Sequence, residues 1–280
     1  MTGGQSESRA RGTLVSFNTV ERLLRGDFFH TVHWEEVLGE LGRFPAEWGL
    51  AGVGTTNWFG RNGEAIIHGT VGAPEVYWSD PRKADPMHVI DLLREHPSGE
   101  GKELVSPSLD DDEGEEPAFP FFALGVCDPS VEVEWAVPAG VNLHEWLLGR
   151  FHEENIGLAA IAVEGAMGHV EYASAFYLPL EGIDLDDLYH ADDNFRLASH
   201  EGGRWIGRGV YAANPTLQRI ISVEGLPLHL HGWEEALRIG GHVSRATVGE
   251  GVSVRVWVLR DFLLEIRNLE RERVKTRVVE

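Results

Sequence analysis

The residues with the clearest chemical potential are histidines at short, regular spacing. In Leu228-His229-Leu230-His231 two imidazoles lie two residues apart, so on a β-strand both project to one face while the leucines project to the other. His242 follows Gly240-Gly241, where the lack of side chains lets a returning strand come close to the first. Three neutral imidazoles on neighbouring strands leave a position open on a bound metal, the arrangement of catalytic rather than structural zinc. The same spacing also suits a plainer arrangement, with His229 and His231 on a polar sheet face and His242 beside a turn, because the chain has 13 histidines. The others, from His30 to His200, are scattered and read as structural or surface groups.

Composition narrows the chemistry. Cys127 is the single cysteine, which excludes an internal disulfide and any thiolate-rich metal site within one chain, so a metal must be held by histidine and carboxylate. The formal net charge is −21, and Lys83, Lys102 and Lys275 are the only lysines. A phosphate backbone is held by a cationic surface that this balance lacks, so nucleic acid and anionic membranes are disfavoured as partners. No apolar stretch approaches the ~20 residues of a membrane-spanning helix. Residues 1–12 are polar and glycine-rich, without the apolar run of a secretory signal, and read as a loose N-terminal arm with a cytoplasmic location expected. The 280 residues, 42% of them apolar and nine of them tryptophan, suffice for one large domain or two intimately packed lobes.

The elements that must position the histidines follow from periodicity. Val20, Leu23 and Leu24, then Val37, Leu38 and Leu41, show the three-and-four spacing of two short amphipathic helices. From Leu50 onward glycines punctuate short β-type runs, including residues 65–68 and 75–78. Residues 87–94 read as a further helical stretch, and the acidic run 110–116 as a solvated loop. Residues 119–126 form an apolar run and 131–137 alternate in the period of a half-exposed strand. A helix over 143–151 follows. Strands are expected over 156–163, 169–178, 205–211, 226–230, 242–248 and 252–259, with Gly165 separating the first two and an acidic stretch at 184–193. The charged tail 260–280 reads as helical in part.

The segment from Leu226 to His231, with its short spacer to Gly240-Gly241-His242-Val243, resembles the metal-binding signature of acetolactate decarboxylases. The resemblance continues in residues 155–165, in Trp205-Ile206-Gly207 with Pro215, and in Gly54-Thr55-Thr56-Asn57 leading to Gly63-Glu64. It implies an α/β (α+β) fold of two closely packed β-rich lobes with mixed sheets and a few flanking helices, over about 13–135 and 136–280. It also implies Zn2+ on His229, His231 and His242, although nickel, copper or iron would also occupy such a site. The implied reaction converts 2-acetolactate, a small hydroxy-keto acid, to acetoin and carbon dioxide. The cation would stabilise the enediolate left when carbon dioxide departs, and a nearby acid would then protonate carbon. By the matching motifs that acid is Glu64, with Glu280 as the family's C-terminal glutamate and Thr55 as its active-site threonine. Open β edges make a homodimer an expectation.

The chain also departs from that pattern. Ala173 occupies the position of an arginine that would meet the substrate carboxylate, and Ala162 that of a second arginine. Arg208 or Arg204 is the candidate to supply the charge from another strand, and Tyr172, Trp58 and Trp205 are expected to make the pocket more aromatic. Two alternatives follow: a divergent metalloenzyme acting on another keto or hydroxy-keto compound by enolisation, dehydration or cyclisation, and a non-catalytic metal-containing binding protein.

Overall fold

The computed structural model describes residues 12–27, 30–58, 61–79, 89–91, 93–95, 102–104, 118–177 and 195–265. In chain order the elements are β1 (Thr13–Phe17), α1 (Val20–Leu24), α2 (Trp34–Leu41), β2 (Gly49–Trp58), β3 (Arg61–Thr70), β4 (Ala73–Ser79), and the short strands β5 (Val89–Asp91), β6 (Leu93–Glu95) and β7 (Lys102–Leu104). They continue with β8 (Ala118–Cys127), β9 (Glu132–Val137), α3 (Leu143–Glu153), β10 (Leu158–Tyr177), β11 (Phe195–Glu201), β12 (Arg204–Ala212), α4 (Pro215–Ile221), β13 (Leu228–Glu234), β14 (Ile239–Val248), β15 (Val252–Val258) and β16 (Asp261–Glu265). No helix among the described residues is long and apolar enough to cross a membrane.

Fourteen strands form one mixed sheet whose main path runs β12-β13-β14-β10-β3-β2-β8-β1-β16. Neighbours are antiparallel except β1 and β16, which run parallel. Strand β10 organises the C-terminal part. Its first half lies between β12 and β15, and its second half between β11 and β14. Because β12 also pairs with β13, and β13 with β14, the β10–β12 pairing closes these strands into a barrel. The strand bends at Gly165, where φ is 145° and an added Cβ would stand 2.7 Å from the Val252 Cα; only glycine meets both demands there.

Among the described residues, three large apolar clusters hold the sheet. In the first, Leu143, Leu147 and Phe151 of α3 bury one helix face against Val243, Val248 and Val254. Asn142 caps this helix, its Oδ1 accepting from the backbone N–H of His144 and Glu145 at 3.0 and 3.4 Å. In the second, Trp34, Val37 and Leu41 of α2 pack on Phe119 and Leu124 of β8. The third joins the N-terminal strands to the barrel, placing Val53, Phe121 and Ala123 against Ala160, Val210 and Ile221. At about 1.5–3 kcal/mol for each fully buried large apolar side chain, this third cluster fixes two surfaces that must meet for the site to exist.

Several expectations are corrected. Within 87–94, the described residues belong to strands β5 and β6, not a helix; Ile90 pairs with Trp78 of β4, and sheet partners override a weak helical spacing. Residues 261–265 of the charged tail form β16, because the apolar run Phe262-Leu263-Leu264 completes the sheet beside β1. The two strands expected on either side of Gly165 are one, β10. Helix α4 was not foreseen, although Asn214-Pro215 is an N-cap and first-turn signature: Asn214 Oδ1 accepts from the backbone N–H of Thr216 and Leu217 at 2.8 and 3.3 Å. Residues 1–11, 110–116, 184–193 and 266–280 lie outside the described residues.

Candidate metal centre

His229 and His231 alternate with leucine along β13, which places both imidazoles on one face. His231 lies directly opposite His242 of β14 in the antiparallel pair. The two glycines before His242 permit this contact. A Cβ at Gly240 would stand 2.1 Å from the Gly232 carbonyl oxygen, and one at Gly241 would stand 2.1 Å from that of Ala173. Ring centroids are 4.7 Å apart for His229 and His231, 4.9 Å for His229 and His242, and 5.4 Å for His231 and His242. One ligand atom from each residue lies within 4.8 Å of the others.

Backbone carbonyls set the tautomers. His231 Nδ1 donates to the Ala65 oxygen of β3 at 2.8 Å, and His229 Nδ1 donates to the Ile221 oxygen at the end of α4. A carbonyl only accepts, so each Nδ1 carries the hydrogen and each Nε2 carries a lone pair. Those two Nε2 atoms face each other at 2.9 Å. Two acceptors at that distance repel unless a cation lies between them. Burial pushes His229 down to about 4 and His231 and His242 well below the ordinary imidazole value, so the three rings are neutral at pH 7 and free to ligate. The residues present therefore fit a transition metal.

The opposing wall comes from the N-terminal strands. Thr55 of β2 pairs with Glu64 of β3 on one side and with Phe121 of β8 on the other, so the three side chains share a row on one sheet face. Glu64 Oε2 is 3.3 Å from His231 Nε2, and burial raises its carboxyl well above the ordinary glutamate value. Phe121 stacks on His229 at 6.0 Å with an interplanar angle of 9°. Between the walls lies a cavity of about 170 Å³ bounded by Thr55, Glu64, Phe121, His229 and His242. Val20, Leu23 and Leu24 of α1, with Ser222, Val223 and Leu226 after α4, complete it.

Thr55, Glu64, His229, His231 and His242 are thus brought together, His231 lying fully buried against the others. Glu280 lies outside the described residues. Ala173 stands opposite His242 across β10 and β14, and neither arginine considered as a substitute bounds the cavity. Arg208 is held by the Gly207 carbonyl at 2.8 Å and by Glu164 Oε1 at 3.1 Å, while Arg204 is exposed and paired with Glu235 at 2.6 Å. Tyr172 and Trp205 pack on each other in the barrel core, with centroids 5.6 Å apart. The side chain of Trp58 lies outside the described residues, and among the described residues the aromatic member of the wall is Phe121. Sequence reasoning missed Phe121, Ser222 and the apolar face of α1 as parts of the site. Helix spacing identified Val20, Leu23 and Leu24, but nothing local says what such a face covers.

No family model matches the sequence, and no curated protein matches it by sequence. In three dimensions the chain is similar to alpha-acetolactate decarboxylase from Bacillus subtilis strain 168, with a TM-score of 0.61 and 17% identity over 91% of this chain and 89% of that one. Acetolactate decarboxylase from Bacillus subtilis subspecies spizizenii gives 0.60 and 16%, over 91% and 90%. A Staphylococcus aureus protein of unknown function, described as similar to alpha-acetolactate decarboxylase, gives 0.59 and 14%, over 96% and 94%. The fold of this chain is therefore acetolactate decarboxylase-like, and it carries three histidines, two buried and one half-buried, that could hold a metal ion.

Proposed function

We propose that the chain is a metal-dependent lyase that decarboxylates 2-acetolactate or a related 2-hydroxy-3-keto acid, with zinc as the metal. The observation that carries this reading is the pair of inward Nε2 lone pairs at 2.9 Å, completed by His242 and faced by the Glu64 carboxyl. Zinc held there would act as a Lewis acid on the hydroxyl and carbonyl oxygens of the substrate, stabilising charge that develops as carbon dioxide leaves. The chain's own residues do the rest. The bond from the hydroxyl-bearing carbon to the carboxylate would break, its electron pair passing into the bond to the neighbouring carbonyl carbon and the charge to the carbonyl oxygen. Glu64, protonated, then delivers its proton to the hydroxyl-bearing carbon and regains one from water. Val20, Leu23, Leu24, Val223 and Leu226 exclude bulk water from the developing charge. Likeness of fold to proteins described as acetolactate decarboxylases supports the reaction type.

A second reading has one observation in its favour. Among the described residues, no lysine or arginine bounds the cavity, which suits a neutral hydroxyketone that is enolised at the same carbon and has no carboxylate to lose. Turnover of racemic 2-acetolactate by zinc-loaded protein, followed as acetoin and carbon dioxide, separates the two. Zinc-dependent acetoin formation is expected. Stoichiometric zinc with no turnover would contradict the decarboxylase, and turnover of neutral hydroxyketones in its place would establish the alternative.

A further inference from the structure

We propose that Ser222 is a substrate-orienting residue whose hydroxyl, together with that of Thr55, holds the substrate carboxylate in place of a cationic side chain. The proposal rests on the decarboxylase reading and deepens it. Among the described residues, those with polar side chains that bound the cavity are Thr55, Glu64, Ser222, His229 and His242. The histidines are committed to metal and Glu64 to the proton, which leaves two hydroxyls. Both residues are buried, at 5% exposure for Ser222 and 3% for Thr55. Among the described residues no side-chain hydrogen bond involves either hydroxyl, and neither oxygen is fully buried, so both keep surface open to the cavity. A hydroxyl that keeps accessible surface takes its partner from whatever fills the space in front of it, water or ligand. Here that space is the cavity.

Ser222 is also held where it is. Its backbone N–H donates to the Gln218 carbonyl at 2.7 Å, and the preceding carbonyl, that of Ile221, receives His229 Nδ1. The buried Gln218 side chain ties both ends of this segment. Its Nε2 donates to the Ala212 and Ala213 carbonyls at 3.1 and 3.2 Å, and its Oε1 accepts from the Gly225 N–H at 3.0 Å. The hydroxyl therefore belongs to the residue after the one whose carbonyl orients a candidate metal ligand, on a turn tied at both ends through Gln218.

The chemistry favours a hydroxyl over a guanidinium here. A bidentate arginine stabilises the full carboxylate charge of the ground state, and that stabilisation is lost as the carboxylate becomes neutral carbon dioxide. Two neutral donors fix the direction of the carboxylate while stabilising its charge less, so less binding energy opposes bond breaking.

The test uses the zinc-loaded full-length chain and calorimetry with 2,3-dihydroxy-2-methylbutanoate, which keeps the carboxylate and vicinal oxygens but lacks the ketone needed for decarboxylation. Butane-2,3-diol serves as the neutral counterpart. Ser222→Ala is expected to weaken the acid about 10-fold while leaving diol binding and zinc stoichiometry unchanged, and Ser222→Thr to restore the acid. Equal acid affinity in wild type and Ser222→Ala would overturn the assignment alone. Equal weakening of acid and diol, or loss of zinc, would reduce Ser222 to a structural role and overturn it too. If wild type takes up zinc and the diol but not the acid, the decarboxylase reading itself fails and carries the Ser222 assignment with it.

Discussion

Two histidine sites in this chain, one a lone ring and one a cluster of three, use the same residue type to opposite ends. His169 lies on the surface with Nδ1 at 2.8 Å from Glu201 and Nε2 at 3.3 Å from Glu171. Hydrogen bonding to Glu201, helped by Glu171, raises its affinity for a proton. Both ring nitrogens face carboxylates, so the ring is stabilised as a cation and offers no lone pair. His229 and His231 are buried and His242 is half-buried. The one carboxyl beside them, Glu64, is itself pushed towards its neutral form, and burial lowers all three rings. For His229 and His231 the partners are backbone carbonyls, which fix one nitrogen as a donor and turn the other inward. Readiness to bind a metal is made by burial and by which acceptor meets Nδ1, not by how many histidines are near one another.

The contrast can be sharpened first at Glu64, the one carboxyl in the buried cluster. Glu64→Gln keeps shape and removes the transferable proton. Turnover of 2-acetolactate is expected to fall by about 10²–10⁴-fold with one zinc per chain retained; an unchanged kcat would move the proton donor elsewhere. A smaller effect concerns stability against pH in the metal-free protein. His229 titrates near 4 when folded and near 6.5 otherwise, so between those values the unfolded chain binds the extra proton. Its contribution is complete above pH 6.5 and is lost as pH falls towards 4, on the order of 1 kcal/mol per pH unit. His231 and His242 are shifted in the same direction and add to it. Glu64, raised by burial, contributes with the opposite sign: its share is present at low pH and lost as pH rises through its folded value. Three imidazoles outweigh one carboxyl, so urea unfolding of the metal-free protein should show clear loss of stability from pH 6.5 to 5. A flat profile over that window would mean that the rings are solvated.

How far the sequence reached can be judged residue by residue. The alternation in Leu228-His229-Leu230-His231 and the paired glycines before His242 specify local geometry, because side-chain direction on a strand and close backbone approach are both properties of neighbouring residues. Those features were legible. The row of Phe121, Thr55 and Glu64 depends on the registers of three strands drawn from β2, β3 and β8, and periodicity says nothing about register between distant segments. Likewise the apolar run at 262–264 could be seen, but its partner, β1, lies some 250 residues earlier by sequence numbering. Ser222 carried no signal at all, since a serine after a helix is ordinary until the cavity in front of it is known.

The most direct test of the central claim is zinc titration of the metal-free protein by calorimetry, run side by side with His231→Ala and His169→Ala. The account predicts one zinc per chain for wild type and for His169→Ala, and an affinity lower by about 100-fold or more for His231→Ala. Stoichiometric zinc on His231→Ala with unchanged affinity, or none on wild type, would contradict it.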